Sequence, residues 1–522
     1  MAQKNNHGSW CWEVMSSSNK DEFTLPILVT IAAVMLAILW YKFTHSSTKP
    51  PLPPGPRSLP IVGYLPFLGH DLHKQFTNMA HTYGPVFKLP LGSKLYVVIN
   101  NIELAKAVVR DQDDIFANRD LSIAASVISY GGQDLVWSMN NSNWRNLRKI
   151  FVHETLSNKN LEACSSFRRD EVRNTIKKVY SKIDTSIDIS DITFETQTNV
   201  ITSLIYGNTS DSHLGSELQM VAWNIVDIIG RPNLADFFPI LARFDLQRVE
   251  RDMKKQLQRL DRIIETMIEN RIKSNTEKSH EGVVDHERKK DFLQILLDIK
   301  NQEDVNSLSI TNMKALLQDI IVAGTDTTTK VIEWVIAEML KNNHVMKTAQ
   351  EELAEVVGLN NIVEETHLSK LKYLDAVIKE TLRLHPVVPF LVPRSPSQDC
   401  VVGAYTIPKG STVFLNVWSI QRDPRYWDNP LEFNPERFLT YEGNKKCDYK
   451  GNNLKFIPFG SGRRLCAGLP LAEKMMMLTL ASLLHSFNWR LPEGEGHDLS
   501  EEFGITLKKV KPLIVLPSQR LP

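Results

Sequence analysis

Cysteine is scarce in this chain of 522 residues, and no two cysteines stand in a C-x-x-C spacing. The scattered positions, odd in number, argue against zinc sites, iron–sulfur clusters and a disulfide framework. An excess of one charge is also lacking, since 61 Lys and Arg residues face 60 Asp and Glu residues. A general attraction to nucleic acid is therefore not expected. The five cysteines are Cys11, Cys164, Cys400, Cys447 and Cys466.

Long apolar runs are lacking except for one near the N-terminus. Residues 23–41 carry no charge and are about long enough to cross a bilayer as a helix. Positive residues dominate after this run, which predicts that the chain beyond it is cytosolic. A cleaved signal peptide is the alternative, but it would have a shorter apolar region and a small-residue cleavage site. We therefore expect an uncleaved anchor.

The anchor and the prolines after it divide the chain. Residues 50–56 read P-P-L-P-P-G-P, a composition that is excluded from helix and sheet interiors and forms a stiff spacer. Hydrophobic residues make up 42% of the whole chain and charged residues 23%, as in ordinary globular proteins. The expected organisation is a lumenal tail (1–22), a transmembrane anchor (23–41), a linker with a proline hinge (42–57) and one large folded domain (58–522).

Hydrophobic periodicity predicts that this domain is mainly α-helical with a small β portion. Apolar residues recur at three- and four-residue spacing in three long segments, which predicts helices at 311–341, 368–384 and 467–487. Alternation around Gly92 and Ser93 predicts a hairpin over 85–99, and further strands are expected within 401–414. The polar stretch 273–290 is expected to be a solvated connecting loop. The chain has no internal repeats.

Residues 459–468, F-G-S-G-R-R-L-C-A-G, place one cysteine in a glycine-rich loop. Gly462 and Gly468 are expected to let the backbone approach a flat cofactor and adopt unusual dihedral angles. Amides of the loop and of the following helix can hydrogen-bond an anionic sulfur, so Cys466 is a candidate thiolate ligand. The alternative is a surface turn with an ordinary buried cysteine. The stretch fits F-x-x-G-x-R-x-C-x-G and thus resembles the haem-binding signature of the cytochrome P450 superfamily.

The resemblance implies the cytochrome P450 fold and a bound haem b. It makes Cys466 the axial ligand of the haem iron and places Phe459 near the thiolate. Guanidinium groups suit the two haem propionates because they bind carboxylates in a bidentate manner. The segment W-R-N-L-R at 144–148 resembles the W-x-x-x-R helix of the family. The residues nominated for the propionates are Trp144, Arg148, Arg394 and Arg464.

Residues 323–328, A-G-T-D-T-T, lie within the longest predicted helix. Glycine costs about 1 kcal/mol relative to alanine in a helix interior, and threonines compete for backbone hydrogen bonds. A helix kink or a helix start at Asp326 would explain the pattern structurally. The pattern also resembles the oxygen-activation groove of the family. That resemblance implies that Gly324 makes room for dioxygen, Asp326 takes part in proton delivery and Thr327 hydrogen-bonds the activated oxygen.

Glu380 and Arg383 stand three residues apart, where they can pair on one helix face. Alone such a spacing is uninformative, but it matches the E-x-x-R motif of the family. The arginine of that motif is tied to a downstream P-E-R-F, here Pro435 to Phe438 with Arg437. The resemblance implies that Glu380, Arg383 and Arg437 hold the core on the haem side and take no part in catalysis.

The resemblance also implies where a substrate binds, in four segments that surround the haem in the family. Nearly all of the nominated positions are apolar, which predicts a pocket for a hydrophobic molecule held by shape. No charged anchor for a carboxylate or an amine is evident. The positions are Ser122, Ile123, Val127, Ile128, Ile320, Ala323, Gly324, Val387, Val388, Phe390, Phe503 and Ile505.

The chain most resembles plant-type microsomal members of the superfamily. Residues 233–245 and 292–298 are similar to a plant subgroup that includes sesquiterpene (cadinene) hydroxylases, although that subgroup also acts on flavonoids and other small aromatics. The resemblance implies an endoplasmic reticulum membrane protein with a single span and a cytosolic catalytic domain. A terpenoid, and within that class a sesquiterpenoid, is the expected substrate.

The expected activity is hydroxylation of a small lipophilic plant metabolite with dioxygen. The chain lacks a flavin or nicotinamide fingerprint, so electrons from NADPH must arrive through a separate reductase, NADPH-cytochrome P450 reductase. A flavonoid or other aromatic hydroxylase is an alternative within the same fold. Two further alternatives are a haem-thiolate isomerase or dehydratase that uses no dioxygen, and a haem protein that only binds a ligand.

Overall fold

The computed structural model describes residues 29–30, 32–36, 50–207, 212–280, 290–302, 308–440 and 447–521. Contacts divide the chain into two compact units, Met1–Pro51 and Leu52–Pro522. In the first unit, the described residues 29–30 and 32–36 are helical. Within the described ranges no helix is both long and apolar enough to span a membrane. The predicted lumenal tail, and most of the predicted anchor at 23–41, lie outside these ranges.

The second unit is mainly helical, as predicted. Short 3₁₀ turns, among them Gly462–Arg464 and Pro435–Phe438, connect several of its elements. The helices are α1 Leu72–Tyr83, α2 Ile102–Lys106, α3 Ile123–Ile128, α4 Ser142–Ile150, α5 Asn158–Ala163, α6 Ser165–Tyr180, α7 Ile189–Tyr206, α8 Ser212–Gly230, α9 Leu234–Phe237, α10 Val249–His280, α11 Phe292–Lys300, α12 Ile310–Lys341, α13 Asn343–Val357, α14 Glu365–Leu368, α15 Lys372–Leu384, α16 Val417–Ile420 and α17 Leu469–Ser486.

The β portion is small and formed largely by distant parts of the chain. The predicted hairpin is present, with β1 antiparallel to β2 from Val86 opposite Ile99 to Leu91 opposite Lys94. β6 joins β2 in parallel, and β10 pairs with both β3 and β7. The strands are β1 Val86–Leu91, β2 Lys94–Ile99, β3 Ile187–Asp188, β4 Cys400–Val402, β5 Tyr405–Ile407, β6 Thr412–Leu415, β7 Phe487–Arg490, β8 Glu501–Glu502, β9 Lys508–Lys509 and β10 Ile514–Gln519.

Polar residues mark the start of two helices that carry predicted site residues. The Asn141 side chain accepts a hydrogen bond from the Trp144 amide (2.8 Å) at the start of α4. Ser309 Oγ accepts from the Asn312 amide (3.0 Å) at the start of α12. Each cap satisfies an amide that the first helical turn leaves without a partner. The caps therefore determine where these helices begin and which side chains they present to the core.

The long helix α12 forms the centre of the domain. Most of its residues are buried, and Trp334 is among the largest fully buried side chains of the described chain. Helices α7, α8, α15 and α17 all pack against it. A helix buried along most of its length needs apolar residues on several of its faces. α12 therefore runs through the interior of the domain.

Two predicted segments differ from the structure. The helix predicted at 368–384 is divided, because α14 ends at Leu368 and α15 begins at Lys372. The loop predicted at 273–290 is wrong for its first part, since α10 continues to His280. Lysine, glutamate and asparagine there are compatible with an exposed helix, and Thr276 Oγ1 donates back to the Ile272 carbonyl (3.0 Å). Residues 281–289 lie outside the described ranges.

Candidate active site

One backbone hydrogen bond closes the cysteine loop. One glycine, Gly462, allows the loop to pack closely against the neighbouring backbone. The Cys466 amide donates to the Phe459 carbonyl (3.0 Å). Gly462 has a φ of 72°, and a Cβ there would lie 2.3 Å from the Val109 carbonyl oxygen. Glycine at 462 is thus required both by its dihedral angle and by the protein behind the loop. Gly468, expected to share this unusual conformation, instead has an ordinary φ of −80°.

The Cys466 side chain borders a space inside the fold. It is exposed by surface area, yet protein atoms enclose it. Burial raises the pKa of the thiol, whereas the amides of Gly468 and Leu469 and the charge of Arg148 act to lower it. α17 begins at Leu469, so these amides belong to a helix N-terminus, which favours negative charge. The loop therefore presents a sulfur with donors arranged to stabilise a thiolate.

Four arginines gather beside this loop. Arg119, Arg394 and Arg464 are buried, and Arg148 is half-buried. Arg148 Nη2 donates to the Leu465 carbonyl (2.7 Å), and Arg394 Nη2 donates to the Ser461 carbonyl (2.8 Å). Three of the four were predicted from the sequence. Arg119 was not.

The arginine cluster, defined as Arg119, Arg148, Arg394 and Arg464, has too few acids for its charge. Asp113 pairs with Arg394 (3.0 Å). Burial, followed by the charges of Arg394 and Arg148, lowers the pKa of Arg464 to about 9. Burial and the neighbouring arginines likewise hold the pKa of Arg119 well below its usual range. A buried group with two negative charges would relieve this repulsion, so the residues fit the two propionates of a haem.

The donor set around Cys466 also fits a haem. No group of three or more His, Cys, Asp and Glu side chains in the described ranges is arranged to hold a metal ion by itself. A single cysteine thiolate is a protein ligand that haem iron can take. Phe459, predicted to lie near the thiolate, is half-buried, and its ring packs edge-on against Tyr449 (5.7 Å between centroids).

Trp144 lies within the arginine cluster but uses its indole N–H elsewhere. Its Nε1 donates to the Leu135 carbonyl (3.0 Å), and the Arg464 guanidinium lies over its ring (4.0 Å). Arg464 Nη1 donates to the same carbonyl (3.1 Å), while the Leu135 amide donates to Asp319 of α12 (2.7 Å). The single residue Leu135 thus connects the cysteine loop and α4 to the long helix.

The centre of α12 contains an exposed stretch between buried turns. Ala323 is exposed, and Gly324 and Thr327 are partly exposed, although the residues on both sides are buried. Thr327 Oγ1 donates to the Ala323 carbonyl (2.8 Å), and the helix is continuous over Ile310–Lys341, so no helix starts at Asp326. A Cβ on Gly324 would lie 3.1 Å from Ile201 Cδ1, so this glycine also allows α7 to pack closely.

Asp326 is buried, and its carboxylate faces the C-terminal turn. Its Oδ2 accepts a hydrogen bond from Thr506 Oγ1 (2.8 Å). Burial raises the pKa of Asp326, while the charge of Lys330 and the Thr506 hydrogen bond act to lower it. Because burial raises its pKa, this carboxyl group binds a proton at a higher pH than an exposed aspartate does.

The nominated pocket positions fall into two apolar clusters. Phe390 and Phe503 lie 5.3 Å apart between ring centroids, in a cluster with Phe76 and Phe414 near β1 and β2. The other cluster is the main core around α12, where part of the nominated set is found. Its nominated members are Val127, Ile128, Ile320, Val387 and Val388.

Three remaining pocket positions lie at the ends of elements. Ser122 caps α3, since its Oγ accepts from the Ala125 amide (3.2 Å). The Ile123 amide donates to Asp236 Oδ1 (2.7 Å), which ties the start of α3 to α9. Ile505 lies against the end of α8, because a Cβ on Gly230 would be 3.4 Å from its amide nitrogen. α3 and the C-terminal turn are thus placed beside the α8 and α9 region.

The E-x-x-R residues form one buried network. Arg383 donates to both carboxylate oxygens of Glu380 (2.7 and 2.8 Å), and both side chains are fully buried. Arg437 Nε also donates to Glu380 (3.0 Å). The remaining Arg383 N–H groups donate to the carbonyls of Gln421, Pro430 and Glu432. The network binds α15 to the chain that leads into the cysteine loop.

A buried charged cluster next to this network was not expected from the sequence. His385 Nε2 lies 2.8 Å from Glu338 Oε1, and its Nδ1 lies 2.8 Å from Glu501 Oε1. His73 Nε2 is 3.2 Å from the other Glu501 oxygen, and Trp334 stacks on His385 at 4.0 Å. These five residues, the His385 cluster, join α1, α12 and β8. No local sequence signal reveals them, because each pair is far apart in the chain.

Comparison with known proteins matches residues 53–516 to the cytochrome P450 family model. Cytochrome P450 76C1 of Arabidopsis thaliana is 40% identical over 90% of this chain and 92% of that protein. Geraniol 8-hydroxylase of Catharanthus roseus is 37% identical over 95% and 99%. Flavonoid 3',5'-hydroxylase of Campanula medium is 37% identical over 94% and 97%.

The fold agrees with these sequence relationships. The solved structure of a zebrafish cytochrome P450 with progesterone superposes with a TM-score of 0.73 and 26% identity, covering 86% of this chain and 99% of that one. Named hydroxylases among the relatives favour a monooxygenase over the non-oxidative isomerase and the simple ligand-binding protein. The chain belongs to the cytochrome P450 family and is a plant cytochrome P450 monooxygenase, which uses haem b and receives electrons from NADPH through a separate reductase.

Proposed function

We propose that this monooxygenase hydroxylates a small hydrophobic terpenoid of plant specialised metabolism, with a sesquiterpenoid as the expected size class. The observation that carries the proposal is the apolar character of the nominated pocket positions, among which Ser122 alone has a polar side chain. Shape and burial then select the substrate, since no charged group is available to anchor one. The similarity to geraniol 8-hydroxylase supports a terpenoid.

The test is a substrate panel with the full chain and a plant reductase in membranes. Monoterpenols, sesquiterpenes and flavonoids are each incubated with NADPH under ¹⁸O₂, and products are identified by mass spectrometry. We expect a terpenoid product that carries one labelled oxygen. Membranes with Cys466→Ala serve as the control and should form no product. Conversion of flavonoids alone would contradict the terpenoid proposal while leaving the enzyme class intact.

A flavonoid is the second candidate substrate class. Phe390 and Phe503 present aromatic rings 5.3 Å apart in one cluster, and flat aromatic substrates pack well on such rings. The flavonoid 3',5'-hydroxylase of Campanula medium is also 37% identical to this chain. The same panel separates the two candidates.

We assign the following roles to the residues of the site. Cys466 would hold the haem iron through its thiolate, and the arginine cluster with Trp144 would hold the propionates. Bound haem supplies the oxidising chemistry at its iron. Asp326 would hold and release a proton at its carboxylate, and Thr327 would pass it on through its hydroxyl. Glu380, Arg383 and Arg437 hold the surrounding core without contacting the reactants.

The membrane arrangement is part of the proposal. Residues 23–41 serve as a single anchor in the endoplasmic reticulum, residues 1–22 are lumenal, and the proline-rich segment within 42–57 leads to a cytosolic catalytic domain at 58–522. The charge-free run and the positive residues after it support this orientation. The irregular residues 52–57 pack on the domain, because the Lys88 amide donates to the Pro54 carbonyl (2.8 Å).

A further inference from the structure

The acid proposed for proton delivery has a hydroxyl partner from a distant part of the chain. Thr506 Oγ1 donates to Asp326 Oδ2 at 2.8 Å, across 180 residues of sequence. Both side chains are buried, at 9% and 6% exposure. Because the carboxylate is shielded from water, this bond determines which way it points more strongly than a surface bond would.

The backbone around Thr506 is fixed independently of this bond. The Leu507 amide donates to the Val387 carbonyl (2.7 Å), and the Leu507 carbonyl accepts from Trp334 Nε1 of α12 (3.2 Å). The turn is therefore attached to α12 and to the segment after α15. Removal of the Thr506 hydroxyl should leave these two bonds in place and affect Asp326 alone.

The charged groups near Asp326 do not replace this partner. Lys330, one helical turn further along α12, places its Nζ 3.3 Å from Ser190 Oγ and 3.5 Å from Glu333 Oε2. Lys330, Glu333 and Lys508 act on Asp326 through their charges. In the described ranges, Thr506 is the side chain that hydrogen-bonds the Asp326 carboxylate. Burial and these charges act on the pKa of Asp326 without fixing the direction of its carboxylate, whereas the Thr506 hydroxyl both lowers that pKa and fixes the direction.

The neighbours of Thr506 belong to the nominated substrate pocket. Ile505 directly precedes it, and Phe503 lies within the same turn, where its ring packs against Phe390 (5.3 Å) and His73 (5.7 Å). A substrate in the nominated pocket would contact this turn. The pocket and the residue that holds the acid therefore share one segment of the chain.

We propose that Thr506 is a positioning residue for proton delivery, holding Asp326 through its hydroxyl and connecting the acid to the substrate pocket. The inference rests on the role assigned to Asp326 above. In this assignment Thr506 acts only through its hydrogen bond to Asp326. Its loss should misdirect protons while leaving haem binding intact, so that reducing equivalents form hydrogen peroxide in place of product.

The first experiment compares Thr506→Val, which keeps the volume, with Thr506→Ser, which keeps the hydroxyl. Thr329→Val is the matched control, because Thr329 Oγ1 bonds only the Thr325 carbonyl (3.0 Å) of its own helix. Product formation, peroxide formation and NADPH consumption are measured in one assay, with a substrate that the panel above shows to be hydroxylated. We expect Thr506→Val to lower product per NADPH by about tenfold, Thr506→Ser to restore most of it and the control to match the wild type.

The second experiment does not depend on turnover. Infrared spectra of protein with ¹³C-labelled aspartate are titrated with pH, and the Asp326 carboxyl band is identified by its loss in Asp326→Asn. Thr506→Val should raise the pKa of Asp326, because the lost hydrogen bond favours the charged form, and Thr506→Ser should return it. Carbon monoxide spectra of all variants verify that haem is bound. Thr506→Ala is measured in the same way if Thr506→Val does not take up haem.

The outcomes separate the two proposals. If Thr506→Val keeps full coupling and an unchanged carboxyl band while Asp326→Asn impairs turnover, the positioning role of Thr506 is wrong and the role of Asp326 stands. If Asp326→Asn itself leaves turnover and coupling unchanged, the role of Asp326 in proton delivery is wrong. A coupling loss that Thr506→Ser does not restore would indicate a packing effect and would also overturn the inference.

Discussion

Gly462 shows how one missing side chain determines the shape of the cysteine loop. Its φ of 72° lies in the left-handed region, and a Cβ would meet the Val109 carbonyl oxygen at 2.3 Å and Asp113 Oδ1 at 2.7 Å. Asp113 also pairs with Arg394 of the arginine cluster. A side chain at 462 would thus displace both the loop and one partner of the cluster.

We predict that Gly462→Ala loses most of its haem. The steric collision is with backbone, which cannot move away without shifting the loop. Haem per protein and the carbon monoxide spectrum measure the effect. Gly494→Ala is the control, since Gly494 has a φ of 83° but no atom within 4 Å of the added Cβ. Gly494→Ala should lower the free energy of unfolding by only about 1–2 kcal/mol, the cost of the left-handed conformation, and should keep its haem.

We predict that Thr327→Ala binds haem normally but couples poorly. Thr327 is partly exposed in the middle of α12, and its proposed role concerns the activated oxygen and not the binding of the iron. Product per NADPH should fall by about tenfold, with peroxide increasing, as for other positioned proton-transfer groups. Full coupling in this variant would mean that the groove is elsewhere or that Thr328 substitutes, and the double variant Thr327→Ala, Thr328→Ala distinguishes these cases.

At the scale of elements, the buried E-x-x-R network fastens α15 to the segment before the cysteine loop. Glu380 accepts from Arg383, Arg437 and the Asn434 amide, and neither Glu380 nor Arg383 is exposed to solvent. Removing one partner of such a network leaves a buried charge without compensation. The network therefore holds α15 and the segment before the cysteine loop together as a unit.

We predict that Glu380→Gln destabilises the fold by roughly 3–5 kcal/mol, because Arg383 then keeps its charge without its carboxylate. Urea unfolding followed by circular dichroism and by the haem spectrum measures the shift. Asp71→Asn breaks the exposed pair with Lys74 and should cost less than about 1 kcal/mol. Equal shifts in the two variants would contradict a structural role for the buried network.

Local patterns predicted the elements better than their connections. α12 and α17 were found from periodicity to within two residues, and the β1–β2 hairpin from alternation and its turn. The cysteine loop and the E-x-x-R pair are local motifs and were found as well. Arg119 and Thr506 were missed because their partners are far away in sequence, and no residue beside them forms a motif. Local periodicity contains no information on such contacts.

At the scale of the whole molecule, the His385 cluster ties the C-terminal turn to α1 and α12. Burial acts to lower the pKa of His385, but its hydrogen bonds to Glu338 and Glu501 raise that pKa overall. Burial acts to raise the pKa of Glu501, but its hydrogen bonds from His385 and His73 lower that pKa overall. Arg422 adds a further positive charge at 3.6 Å from Glu501. The folded state thus favours a charged histidine between two carboxylates.

We predict a loss of stability on the alkaline side that depends on His385. Because the pKa of His385 is raised on folding, its contribution is complete below its unfolded pKa of about 6.5 and is lost as pH rises through the folded value. His385→Gln should flatten this part of the stability profile, measured by urea unfolding at several pH values. His485→Gln is the control, since burial lowers the pKa of His485 and that residue gains nothing from being charged.

We predict that the chain carries no N-linked glycan in its native host. Asn140 begins the sequon N-N-S, and a second sequon, N-T-S, begins at Asn208, outside the described ranges. A cytosolic domain does not meet the transferase, so both should remain unmodified. Peptide mass spectrometry with and without glycosidase provides the measurement. A glycan on either asparagine would reverse the proposed topology.

The surplus positive charge of the arginine cluster makes cofactor uptake a part of folding. Without a bound anionic ligand, the four side chains of the arginine cluster repel one another inside the domain. A ligand that binds only the folded chain adds stability in proportion to the logarithm of its free concentration, about 1.4 kcal/mol for each tenfold increase above Kd. The amount of intact enzyme in a cell therefore follows its haem supply, and variants weakened far from the site should be rescued by extra haem.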